Sequence, residues 1–159
     1  MSVRFGDATM KEFEELLTHY PTKRAATLPT LRLAEREFGG LDPAIMKYVA
    51  DLLGVSAAHV FGVVSFYIHF RKKSMGKHRL MVCSTLSCAL RGSEDIFDRL
   101  ASQLCLENGG TTGDGLFTLQ KVECLGACDK APVVSWNDDY KDFMTPDEMV
   151  KLVEEARRR

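Results

Sequence analysis

Two close pairs of cysteines restrict what this chain can fold into more than any other feature. Cys83 and Cys88 enclose "STLS", Cys124 and Cys128 enclose "LGA", and Pro132 follows soon after. The spacing is C-x4-C, thirty-five intervening residues, then C-x3-C. The count of five cysteines is odd and no secretion signal is visible, so a disulfide framework is not expected. Neither pair has the C-x-x-C spacing of a thioredoxin-type redox dithiol. Structural zinc uses C-x4-C readily and C-x3-C less often. A [2Fe–2S] cluster needs four thiolates, two for each iron, and loops whose backbone N–H groups approach the sulfurs. Four incidental core thiols are the bland alternative, which two tight pairs at matching places make a poor account. The fifth, Cys105, is expected to be a buried, inert thiol on the apolar face of a helix over 93–107, near Leu100, Leu104 and Leu106.

The pattern around the cysteines places them at one edge of a sheet. Residues 78–85, "HRLMVCST", suit a strand with Leu80 and Val82 on one side. "SEDIFDRLASQLCLENGG" reads as an amphipathic helix ended by Gly109-Gly110, and 116–124 as a second strand. Residues 132–138 and 140–144 flank an Asn-Asp-Asp turn, a hairpin signal. In "TPDEMVKLVEEARRR", Thr145 caps a helix, Pro146 opens it, acids come early and arginines last. The order is β-α-β-β-β-α. If the first two strands are parallel neighbours, Cys83 ends one and Cys124 the other. Cys88 then lies in the loop entering the helix, Cys128 lies in the loop before the hairpin, and the four thiols converge.

The first half reads differently. One helix starts with a cap at Asp7 or Thr9, carries Met10, Phe13, Leu16 and Leu17 at helical spacing, and stops before Pro21. A second runs from about Leu28 to Phe38, with Pro29 in its first turn and Gly39-Gly40 as its end. A third has Asp42 as cap, Pro43 first and Gly54 as stop. A fourth follows Ser56 into the apolar "VFGVVSFYIHF". Four short helices make a small bundle. Phe61, Phe66, Tyr67 and Phe70 are most simply its core, although so small a bundle can hardly bury them all, and those left outside are expected to dock a partner. The expected class is α+β, with a helical bundle over 1–75 and a cluster-bearing α/β domain with a mixed four-stranded sheet over 76–159.

Charge marks the same division. Residues 1–70 carry net −1, 71–79 ("RKKSMGKHR") net +5, and 80–159 net −5. The basic stretch is expected to be a solvated join, or a contact for an acidic partner. The total of −1 excludes a general electrostatic trap for nucleic acid. No apolar run reaches the roughly 18–20 residues of a membrane span. The acid-containing start does not resemble a transit peptide, so a cytoplasmic protein is expected. His19, His59, His69 and His78 form no ligand spacing, and no Walker A, G-x-G-x-x-G or triad is visible. Trp136 suits packing on a sheet face.

"CSTLSC" together with "VECLGACDKAP" resembles the thioredoxin-like [2Fe–2S] ferredoxin family. "HVFGVVSFYIHF" is similar to that family's GV-x-SFY segment, and "APVVSWNDDYK" to its stretch after the last ligand. The resemblance extends over nearly the whole chain. It implies a thioredoxin-like fold for the second half and one [2Fe–2S] cluster on Cys83, Cys88, Cys124 and Cys128. It also implies an electron-transfer subunit in the NADH-oxidising module of respiratory complex I (NADH:quinone oxidoreductase), in a peripheral arm on the cytoplasmic side of the inner membrane. The implied partner is a larger flavoprotein that binds FMN, NADH and a tetranuclear cluster. The cluster of this chain would exchange one electron with that flavin, off the main line of clusters leading to quinone. The same subunit type serves soluble NAD-linked hydrogenases and formate dehydrogenases. A zinc-stapled interaction module is the reading from another class.

Overall fold

Asp42, Pro43 and Gly54 bracket the most plainly punctuated helix of the first half. In the computed structural model, which describes residues 3–158, Asp42 accepts a hydrogen bond from the Ile45 N–H at 2.9 Å. Helix α3 (Pro43–Leu53) then runs to Gly54, which turns left-handed at φ 66°. Helix α2 (Thr27–Phe38) ends in the same way at Gly39, and Ser56 caps α4 (Ala57–Phe66) through the His59 N–H. Helix α1 (Asp7–Thr18) differs from the sequence reading. Neither Asp7 nor Thr9 caps it; Gly6 occupies the cap and Asp7 is already helical. The Thr9 hydroxyl donates instead to Glu37 of α2 at 2.7 Å, and the Gly6 N–H donates to the same carboxylate at 3.1 Å. A long-range partner thus takes the role of a local cap. These bonds, the Thr9 hydroxyl first, hold the Glu37 carboxyl below its ordinary pKa.

The chain divides after Ser74 into two compact units. The helical unit packs Phe5, Phe13, Leu31, Ile45, Val49, Leu53, Val60, Val64 and Phe70 into one core. Of the four aromatics considered for that core, Phe70 is buried, whereas Phe61, Phe66 and Tyr67 are exposed. Helix α4 is apolar nearly all round, and Val60 and Val64 fill the stripe that faces inward. The basic stretch is not simply solvated. Lys73 Nζ lies 3.1 Å from Asp42, and Arg79 is buried within the first strand, 3.6 Å from Asp138.

The second unit is a four-stranded mixed sheet in the order β2-β1-β3-β4. Strands β1 (His78–Cys83) and β2 (Phe117–Val122) are parallel, with Cys83 beside Val122. Strand β3 (Val134–Trp136) runs antiparallel to β1 and pairs with β4 (Asp139–Lys141) across a turn at Asn137, φ 57°. Between β1 and β2 lie a short helix α5 (Leu86–Leu90) and the longer α6 (Ser93–Leu104). Helix α7 (Pro146–Arg157) closes the fold behind a full capping box of Thr145 and Glu148. Period-two alternation sorts β1 onto two faces. Leu80 and Val82 pack with Ile96, Leu100, Phe117 and Met149, while Met81 and Cys83 pack with Cys88, Val122, Leu125 and Val133. Trp136 packs edge-on to Phe117 and donates Nε1–H to His78 Nδ1 at 3.1 Å.

Helix α6 stops earlier than the sequence suggests, and this overturns the reading of Cys105. That residue is exposed and left-handed, φ 54°, ψ 47°. Its N–H reaches back to Ser102, and the Leu106 N–H bonds the Ala101 carbonyl at 3.0 Å. This is a Schellman termination with a cysteine where glycine is usual. Leu106, not Cys105, returns to the core edge.

Candidate metal centre

Parallel pairing of β1 and β2 places the segments that follow them side by side. Cys83 is the last residue of β1 and Cys124 comes two residues after β2. Cys88 lies on α5 rather than in an open loop, and Cys128 opens a single 3-10 turn, Cys128–Lys130. Cys83 and Cys88 are buried, each about 2% exposed, whereas Cys124 and Cys128 are exposed. The Sγ atoms of Cys124 and Cys128 are 3.6 Å apart. The site therefore has an inner thiol pair set into the small core beneath the sheet edge and an outer pair at the surface. Among the described residues, no group of three or more His, Cys, Asp or Glu side chains is gathered closely enough to hold a single metal ion.

The surroundings treat the thiols differently, favouring thiolate at Cys83 and opposing it at Cys88 and Cys128. Burial pushes the Cys83 thiol up, but N–H groups of Thr85 and Leu125 and then the Cys88 thiol outweigh it and leave its pKa below the ordinary value. Burial dominates at Cys88 and raises it, against an N–H from Val133. At Cys128 the neighbouring Cys124 raises the pKa, first by hydrogen bonding and then by charge, and the Ser87 hydroxyl acts against this. Leu125 acting on Cys83, and Ser87 on Cys128, each reach from one loop to the other. The Gly126 N–H points to Cys124 Sγ at 3.4 Å, and Gly126 has φ +80°, a conformation that suits glycine. The Thr85 hydroxyl oxygen is buried without a hydrogen-bond partner. Four cysteines in two pairs, N–H donors aimed at three of the sulfurs and a spare buried hydroxyl fit an iron–sulfur group with two thiolates to each iron.

A model of the thioredoxin-like [2Fe-2S] ferredoxin family matches residues 13–157. The chain belongs to that family. It is 43% identical over 156 residues to a subunit of the NADH-quinone oxidoreductase of Rickettsia conorii, covering 96% of this chain and 93% of the relative. It is 41% identical over 144 residues to the corresponding NADH-quinone oxidoreductase subunit of Mycobacterium bovis, covering 91% of this chain. The chain spans only 57% of the length of that mycobacterial relative. Among solved structures, an air-oxidised NAD+-reducing [NiFe]-hydrogenase superposes with a TM-score of 0.72 at 16% identity, over 84% of this chain and 23% of that one. At that identity the likeness is one of fold. The family match, with the mixed four-stranded sheet, makes the second unit a thioredoxin-like domain.

The sequence located the four cysteines and the small residues between them. It held no sign of two supports, the Val133 N–H and Tyr140. Val133 lies beyond the last cysteine, and Tyr140, on the hairpin, donates its hydroxyl to the Leu125 carbonyl at 2.8 Å. Both act through tertiary approach, which no local spacing announces.

Proposed function

We propose that this chain is the electron-transfer subunit of an NADH:quinone oxidoreductase. In this reading Cys83, Cys88, Cys124 and Cys128 hold one [2Fe–2S] cluster, which passes single electrons to or from the FMN of a partner flavoprotein. The partner binds NADH and this chain does not. One observation carries the reading: two thiol pairs, one buried and one exposed, set at and just beyond the ends of the parallel strands β1 and β2. The names of the relatives matched over most of this chain support the quinone-linked complex over a soluble hydrogenase or formate dehydrogenase.

The roles of the chain's own residues follow from burial. Cys83 and Cys88 anchor the group on the core formed by Met81, Val122, Leu125 and Val133. Cys124 and Cys128 hold its outer side, where a partner can approach. N–H groups of Thr85, Leu125, Gly126 and Val133 stabilise sulfur charge. When bound, the cluster supplies one-electron chemistry, whereas NADH delivers two electrons as hydride, so a flavin has to stand between them. Among the described residues, no helix is long and apolar enough to cross a membrane, which suits a place in a peripheral arm.

The test is anaerobic mixing of the cluster-loaded chain with NADH, followed by its visible spectrum. No bleaching is expected from the chain alone, and bleaching is expected once the flavoprotein is added. Bleaching without the flavoprotein would contradict the division of labour.

A further inference from the structure

We propose that Cys124 and Cys128, in the chain before it receives its cluster, form a reversible disulfide that closes the site to cluster insertion. This rests on the ligand assignment proposed above. The two sulfurs are already 3.6 Å apart and both residues are exposed. A disulfide bond is about 2.05 Å long, so the sulfurs need to approach by only about 1.5 Å. The intervening loop has room for that movement: a Cβ built on Gly126 would meet nothing within 4 Å. The inner thiols are screened, because Cys83 and Cys88 are each about 2% exposed. Cys105 is exposed, but its sulfur lies against the Ser102 carbonyl, outside the ligand loops. Geometry therefore sorts the five cysteines into one pair open to oxidation and three that stand apart from it.

The oxidant is a small disulfide such as glutathione disulfide. The sulfur of one outer cysteine attacks a glutathione sulfur, the glutathione S–S bond breaks, and one glutathione thiol leaves. The second outer sulfur then attacks the mixed disulfide and releases the other. The chain gives up two protons and two electrons, and both protons end on the released thiols. A dithiol reductant reverses the sequence, as exposed disulfides allow. Sulfurs joined to each other are no longer thiolate ligands, so only the inner pair would remain for iron, half of the donor set. Once the cluster is bound, both outer sulfurs are engaged with metal and the disulfide cannot form.

The experiment uses the full cluster-free chain, reduced and then equilibrated anaerobically with glutathione disulfide. Free thiols are alkylated and mapped by peptide mass spectrometry. Cys124 linked to Cys128 is expected, with Cys83 and Cys88 alkylated and Cys105, which has no neighbouring thiol to close a ring, either alkylated or carrying one glutathione. The oxidised chain should take up no cluster from iron and sulfide, and dithiothreitol should restore uptake. In Cys128→Ser, Cys124 should instead carry one glutathione. Alkylation of all five thiols, a link through Cys83, Cys88 or Cys105, or equal cluster uptake by oxidised and reduced chains would overturn the proposal. A fully reduced chain that takes up no cluster would overturn the ligand assignment, and the gating with it, whatever the thiol map shows.

Discussion

At the scale of single residues, cysteine in this chain has three environments. Cys83 and Cys88 are core residues, Cys124 and Cys128 are surface residues, and Cys105 ends a helix. The two cysteine pairs were legible because their spacing is local. The place of Cys105 was not, because nothing in "QLCLEN" signals a left-handed residue when the usual glycine is absent. Two substitutions separate these roles. Cys124→Ala is expected to remove the electron paramagnetic resonance signal of the dithionite-reduced protein, and an unchanged signal would remove Cys124 from the ligand set. Cys105→Gly is expected to keep that signal and to stabilise the fold by about 1 kcal/mol, since a side chain at positive φ costs about 1–2 kcal/mol. A thermal melt measures the gain.

At the scale of elements, helix ends written in short-range chemistry were the most legible. Asp42-Pro43 and Thr145-Pro146 start their helices where the sequence places them, and Gly39 and Gly54 stop theirs. Asp42→Ala is expected to cost about 1 kcal/mol, a typical loss for an N-cap. The Ile45 N–H first, and then Lys73, hold the Asp42 carboxyl below its ordinary pKa. Its contribution is therefore complete above the ordinary aspartate value of about 3.9 and fades as pH falls through the lowered one. Denaturant titrations of wild type and Asp42→Asn should differ at neutral pH and converge in acid. Strand β1 depends on a contact that the sequence hid. The Gly76 N–H donates to the Thr118 hydroxyl at 2.7 Å, and a Cβ on Gly76 would lie 2.9 Å from backbone atoms of Leu116 and Phe117. Backbone cannot swing aside as a side chain can. Gly76→Ala is expected to destabilise the second unit by about 1–3 kcal/mol, and an unchanged denaturant midpoint would mean that the strands shift freely.

At the scale of the whole molecule, the sequence showed a helical part and a thiol-bearing part, but not which aromatics stay outside. Periodicity cannot choose a buried face on a helix that is apolar on every side, and α4 is such a helix. Phe61 is 59% and Phe66 78% exposed, more than a lone surface phenylalanine explains when Tyr67 and Ile68 are exposed beside them. Phe66→Ser is expected to change stability by less than about 0.5 kcal/mol. It should weaken assembly with the flavoprotein partner proposed above about tenfold, as loss of an aromatic anchor does. A binding titration that finds equal affinity would free these residues from any part in docking.

Whether four thiols in this one chain hold two irons is decided by quantitative metal and acid-labile sulfide analysis of the purified chain. About two irons and two sulfides per chain are predicted, with negligible zinc. One zinc per chain with no sulfide would contradict the cluster and return the four cysteines to a structural staple.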